Sequence, residues 1–164
     1  MMQSHRAPLI ILAASSAIAL GTAYGSQYLA GLNPCVLCLY QRIPHWLVLV
    51  AGLLAALPLT PAHLRRPALV FCGLALLAGA AIAGFHHGVE QKWWAGTDDC
   101  SAVLNTGSFE DFRAQILNNP IVRCDEVPWS LFGLSMASYN FLASLLLSVV
   151  AFWCAAKRLP GGLR

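Results

Sequence analysis

Pro34-Cys35-Val36-Leu37-Cys38-Leu39-Tyr40-Gln41-Arg42-Ile43-Pro44-His45-Trp46, continuing through Leu47-Val48-Leu49-Val50-Ala51-Gly52-Leu53-Leu54-Ala55-Ala56-Leu57, decides the fold. Arg42 is its only Lys, Arg, Asp or Glu, and the stretch is long enough for the ~20 residues a helix needs to cross a bilayer. Comparable apolar runs cover about 8–30, 68–87 and 131–156. Composition agrees: 58% of residues are hydrophobic and 10% charged, with a mean hydropathy of +0.64. A soluble domain carries roughly 25% charged residues. The expected fold is an all-α membrane protein, a four-helix transmembrane bundle forming one integral membrane domain over 1–164, with helices at about 8–30, 34–57, 68–87 and 131–156. This pattern excludes a soluble enzyme and offers nothing to nucleic acid.

Charge sets the orientation, because Lys and Arg flanking membrane helices stay in the cytoplasm. Arg6 precedes the first run, Arg65 and Arg66 separate the second and third, and Lys157, Arg158 and Arg164 follow the fourth. Both termini are therefore expected in the cytoplasm. Loops at about 31–36 and 88–130 then face outward, and all seven acidic residues fall between the third and fourth runs, where three basic residues leave a net −4. A competing reading makes the N-terminal run a cleaved signal peptide ending near Ala23-Tyr24-Gly25, but the run exceeds the ~7–15-residue core of such a peptide. The four cysteines Cys35, Cys38, Cys100 and Cys124 face outward in either case.

Asn33 before Pro34 is a helix-start signal, with Asn as N-cap and Pro at the first helical position. It places Cys35 in the first turn, where free N–H groups and the helix dipole favour a thiolate. Cys35, Cys38 and Arg42 are spaced i, i+3 and i+7 and share a face. A cation at that depth costs energy, so Arg42 either snorkels to head groups or has a task beside the thiols. Pro44, inside the run, is expected to kink the helix. In the second outer loop, Ser108-Phe109-Glu110-Asp111 starts a short amphipathic helix lying on the membrane surface. Cys100 and Cys124, if joined, would close that loop, a link of roughly 3 kcal/mol in the chain-entropy model. Cys72 and Cys154 sit inside apolar runs and read as buried structural thiols. Trp93, Trp94 and Trp129 read as an interfacial aromatic belt.

The segment Pro34 to Arg42, the acidic outer loop holding Cys100 and Cys124, and Trp129-Ser130-Leu131-Phe132-Gly133-Leu134 together resemble the bacterial DsbB family of disulfide bond formation proteins. The resemblance implies an inner-membrane protein-dithiol:quinone oxidoreductase with periplasmic redox cysteines. Its implied partners are a periplasmic DsbA-like thioredoxin-fold protein, the quinone pool and the lipid bilayer. Ubiquinone is favoured over menaquinone, and no metal is implied. That route is the established one for keeping a bacterial periplasm oxidising. On the same resemblance the partner attacks the Cys100–Cys124 disulfide at Cys100, Cys124 then attacks Cys35, and Cys38 leaves as a thiolate facing quinone. Arg42 would stabilise that thiolate and hold a quinone carbonyl, with His87, four residues before Gln91, as a second quinone contact; His86 has no assigned role. Rival readings are a metal-handling protein using Cys-x-x-Cys with His86 and His87, a vitamin K epoxide reductase-like enzyme, and a membrane protein with purely structural disulfides. The second places its quinone-side Cys-x-x-Cys on the last helix, the reverse of the order here.

Overall fold

The computed structural model describes residues 5–97, Cys100 and residues 122–157. Its helices are α1 (Arg6–Tyr28), α2 (Val36–Ala56), α3 (Ala62–Glu90) and α4 (Met136–Ala156), with a two-residue hairpin, β1 (Ser130–Leu131) and β2 (Leu134–Ser135), before α4. All four helices are long and apolar enough to cross a membrane. Both 21-residue helices, α2 and α4, rise about 31 Å at 1.5 Å per residue, close to the ~30 Å hydrocarbon thickness. The 29-residue α3 is longer than that, enough to cross with some tilt. The short surface helix expected from Ser108 lies outside the described residues.

Each helix turns a narrow stripe inward. On α1 it is Leu9, Leu12, Ala13, Ser16 and Leu20, at the helical spacing that puts one face towards neighbours. On α4 it is almost wholly small, with Ser144, Ser148, Ala151 and Ala155. Small residues let membrane helices approach closely, which matters where lipid removes the hydrophobic drive for helices to associate. Glycines serve the same end: a Cβ at Gly52 would stand 3.1 Å from the Leu9 carbonyl oxygen, and one at Gly79 would stand 3.1 Å from the Pro44 ring. Ile11, Ile18, Ile43, Leu54, Leu74 and Leu146 point outward, each more than half exposed, as lipid-facing residues do. The order of packing follows the chain, α1 along α2 and α2 along α3, while α3 packs most extensively along α4.

All four helix starts differ from expectation, α1 beginning at Arg6 rather than 8. α2 begins at Val36, with Cys35 in extended conformation as its N-cap. The Cys35 sulfur accepts the Cys38 backbone N–H at 3.4 Å, doing what a Ser or Asp oxygen does at other N-termini. The expected Asn33 cap is thereby displaced by two residues. α3 begins at Ala62 rather than 68, because Arg65 and Arg66 interrupt hydropathy without opposing helix formation. α4 begins at Met136 rather than 131, since the intervening residues form the hairpin. Its turn residues Phe132 and Gly133 both have positive φ, 50° and 79°, as a type I′ connection requires. Pro44 lies within α2 without ending it.

At the end of the bundle away from the thiol pairs, one cation and one hydroxyl close the backbone. Arg6 Nε donates to the Ala56 carbonyl at 2.8 Å, and Thr60 Oγ1 donates to the Leu54 carbonyl at 2.6 Å, so the last turn of α2 keeps few carbonyls unpaired.

Candidate active site

The site lies where the start of α2 meets the end of α3. Cys100 and Cys124 form a disulfide with Cα atoms 5.3 Å apart, within the ordinary range. Cys35 and Cys38 are unbonded, with sulfurs 3.0 Å apart. Cys35, Leu37, Val89, Cys100 and Cys124 form one buried cluster, against which Val36, Cys38 and Val122 pack. The two cysteine pairs thus share one apolar pocket. Gly96 makes the fit possible, since a Cβ there would come within 2.8 Å of the Cys100 Cβ.

Electrostatics single out Cys35. Its thiol is pulled down from the usual thiol range to about 4, chiefly by the hydrogen bond from the Cys38 thiol. Burial opposes this, and His86 and the Cys38 backbone N–H add to it. Cys35 is therefore the thiolate of the pair and Cys38 its donor, consistent with a cap position at a helix N-terminus.

Arg42 lies one turn below Cys38, but its partners are on α1. Nη1 donates to Gln27 Oε1 at 2.7 Å, Nη2 donates to the Ala23 carbonyl at 3.3 Å, and the guanidinium sits 4.5 Å over the Tyr24 ring. Its Nε is buried and has no hydrogen-bond partner among the described residues. His87 faces the other way, towards α4: Nδ1 is 2.9 Å from Ser138 Oγ and 3.7 Å from Glu90 Oε2. Glu90 is itself held by the Ser135 hydroxyl, the N-cap of α4. The two expected quinone contacts consequently face different neighbours.

His86, unassigned from sequence, is the histidine at the thiols. It is 3% exposed, and its Nε2 lies 3.5 Å from the Cys35 sulfur and 3.2 Å from the Cys124 carbonyl. Its Nδ1 is 2.8 Å from Gln41 Nε2. Gln41 Oε1 accepts from Asn140 Nδ2 at 2.7 Å, and Asn140 Oδ1 stands 2.8 Å from His45 Nε2. Gln41, His45 and Asn140 were also missed in the sequence; a lone polar residue in an apolar run was their only signal. Cys35, Cys38 and His86 bring three donor atoms within 4.8 Å of one another. Three protein ligands are as many as an open metal site uses, and the same thiolate capped by a neighbouring thiol also suits disulfide exchange.

Trp94 covers this end of α3. Its indole stacks on Phe85 at 5.8 Å and donates to the Phe85 carbonyl at 3.0 Å. A Cβ at Gly88 would fall inside the indole.

Comparison with known proteins identifies the family. Residues 5–154 match the family model described as disulfide bond formation protein DsbB. The chain belongs to the DsbB family. It is 35% identical over 131 residues to disulfide bond formation protein B of Haemophilus influenzae, covering 79% of this chain and 73% of that protein. With disulfide bond formation protein B of Aeromonas salmonicida it shares 32% over 152 residues, 90% and 87% of the two chains. An uncharacterized protein of Rickettsia prowazekii is 27% identical over 143 residues, 85% of this chain and 81% of that one. DsbB membership makes the chain a multi-pass membrane oxidoreductase that forms disulfides, and it removes the vitamin K epoxide reductase-like reading.

Proposed function

We propose that this DsbB-family protein reoxidises a periplasmic DsbA-like dithiol oxidase and delivers the electrons to a membrane quinone. The observation that carries the reading is the packing of a loop-borne disulfide, Cys100–Cys124, against a helix-end pair with an activated member, Cys35. A loop disulfide can meet a soluble protein, and a pair at the bilayer edge can meet a lipid-soluble acceptor. The bundle lies in the inner membrane with both termini cytoplasmic and the redox cysteines periplasmic; Arg6, Arg65, Arg66 and Lys157 at the opposite end support this placement.

Each step is a two-electron thiol exchange. A partner thiolate attacks Cys100; the new S–S bond joins partner and Cys100, and the electron pair leaves on Cys124. The Cys124 thiolate attacks Cys35 of an oxidised Cys35–Cys38 pair, forming Cys35–Cys124 and releasing Cys38 as a thiolate. A second partner thiol displaces Cys100, which then attacks Cys124, regenerating the loop disulfide and releasing Cys35.

When bound, quinone supplies the two-electron, two-proton sink that lets Cys35 and Cys38 rejoin. The unpaired, buried Nε of Arg42 is a donor suited to a quinone carbonyl, and Tyr24 and Gln27 hold the guanidinium there. His87, half-covered near α4, is the second proposed contact, and ubiquinone is the favoured acceptor.

The test mixes purified protein, a reduced DsbA-like protein and ubiquinone or menaquinone, following quinone absorbance. Wild type should consume quinone, Cys38→Ser should fall to background, and Arg42→His should weaken quinone use more than exchange with the partner. Undiminished quinone loss with Cys38→Ser would sink the mechanism.

A further inference from the structure

His86 has a tautomer fixed by its surroundings, and that tautomer gives it a task. The Cys124 carbonyl can only accept a hydrogen bond, so His86 Nε2, 3.2 Å away, carries the hydrogen. The opposite ring nitrogen is fixed by a buried chain of amides. Gln41 Nε2 donates to the Leu37 carbonyl at 3.3 Å, which orients the amide with its nitrogen towards His86 Nδ1. Its oxygen is taken by Asn140 Nδ2. Asn140 Oδ1 in turn accepts from Ser144 Oγ at 3.0 Å and from His45 Nε2, while Ser16 Oγ stands 3.4 Å from His45 Nδ1. Every link runs in one direction, from α1 and α4 through α2 to α3. Reversing the Gln41 amide would set its oxygen against the Leu37 carbonyl and its nitrogen against the Asn140 N–H, leaving buried donors unmatched.

We propose that His86 is a catalytic residue of the exchange between the two cysteine pairs: its Nε2–H is shared by the Cys124 carbonyl and the Cys35 sulfur, seating the loop and receiving Cys35 as a leaving thiolate. This rests on the reading of the two pairs as exchange partners. When Cys100 attacks Cys124, the Cys100–Cys124 bond forms and Cys35–Cys124 breaks. The electron pair departs on Cys35, where the His86 N–H, 3.5 Å away, meets it; no proton leaves His86. Gln41 is a positioning residue, since its donation to Nδ1 keeps the ring hydrogen on Nε2. Among the described residues, the titratable and charged groups facing His86 are Cys35 and Cys38 from the start of α2 and Glu90 of its own helix, whose Oε1 is 4.0 Å from Nε2. From α4 the neutral Asn140 reaches His86 through Gln41, Arg42 turns to α1, and the described part of the loop contributes the Cys124 carbonyl and the Cys100–Cys124 disulfide.

The test follows Cys35 alkylation against pH in quinone-free, partner-free full-length protein, with Cys35 and Cys38 reduced, Cys100–Cys124 kept oxidised, and the modified site mapped by mass spectrometry. His86→Ala should raise the Cys35 midpoint by at least one pH unit from about 4, slowing alkylation about fivefold at pH 4. His86→Gln can place an amide N–H near the Nε2 position and should recover most of the rate. Gln41→Leu should fall between. A wild-type profile in His86→Ala with the loop disulfide intact would overturn the proposal. So would His86→Gln behaving no better than alanine, which would assign His86 to packing. Because neither quinone nor partner is present, failure here is distinct from failure of the quinone reaction.

Discussion

Cys35 and Cys72 are almost equally hidden, 5% and 0% exposed, yet they occupy opposite chemical worlds. Around Cys72 are Leu9, Leu12, Val48, Leu69 and Leu76, the dry core of the bundle. Cys35 caps a helix and meets a thiol donor, a backbone N–H and the His86 ring. Burial alone makes a thiol inert; burial with directed donors makes it a thiolate. The bundle therefore keeps two kinds of cysteine by distributing polar partners, with little difference in exposure.

The largest test of this contrast is turnover. Cys35→Ser should abolish disulfide transfer, whereas Cys72→Ala should retain activity within about twofold and cost on the order of 1 kcal/mol in stability. Loss of activity in a folded Cys72→Ala protein would break the distinction. The next effect is in pH. An ordinary thiol loses reactivity about tenfold for each unit below roughly 8.5. Since only the thiolate reacts and its pKa here is lowered, Cys35 alkylation should hold down to about pH 4 in reduced protein. A midpoint near 8.5 would make Cys35 an ordinary thiol and erase the contrast. The smallest expected effect concerns packing midway between the two regions: Gly79→Ala, pressing on Pro44, should destabilise by about 1–3 kcal/mol in detergent unfolding, with the Cys35 profile unchanged. A shifted profile would mean that thiol chemistry and bundle packing are coupled through α2.

Much of the fold was legible because lipid imposes a simple code. A membrane helix must satisfy its own backbone and present apolar side chains over a fixed length, so four runs in the sequence became four helices. Helix starts were less legible because several residues competed for each. Asn33 is a better intrinsic cap than Cys35, yet Cys35 takes the position and uses its sulfur. Arg65 and Arg66 ended a hydropathy run without ending a helix, and Phe132-Gly133 spent residues on a turn that hydropathy assigns to α4. At the site, the Cys-x-x-Cys and its distance to Arg42 were readable because helical spacing fixes which side chains share a face. Which neighbour Arg42 reaches was not: Gln27, Ala23 and Tyr24 come from another helix.

The adjacent histidines show where the division falls. The sequence by itself determined that two imidazoles would lie at one end of the third helix, close to the level of the thiols, because hydropathy sets the depth of each residue in the bilayer. It could not determine which one meets sulfur, since consecutive helical residues point about 100° apart and the rotation of α3 depends on its packing against α2 and α4. The tertiary structure decided that His86 turns to Cys35 and His87 to Ser138. It also aligned Gln41, Asn140 and His45 from two helices into the hydrogen-bond chain that fixes the His86 tautomer. Depth is written in the order of residues along one helix, whereas reactivity is written between helices.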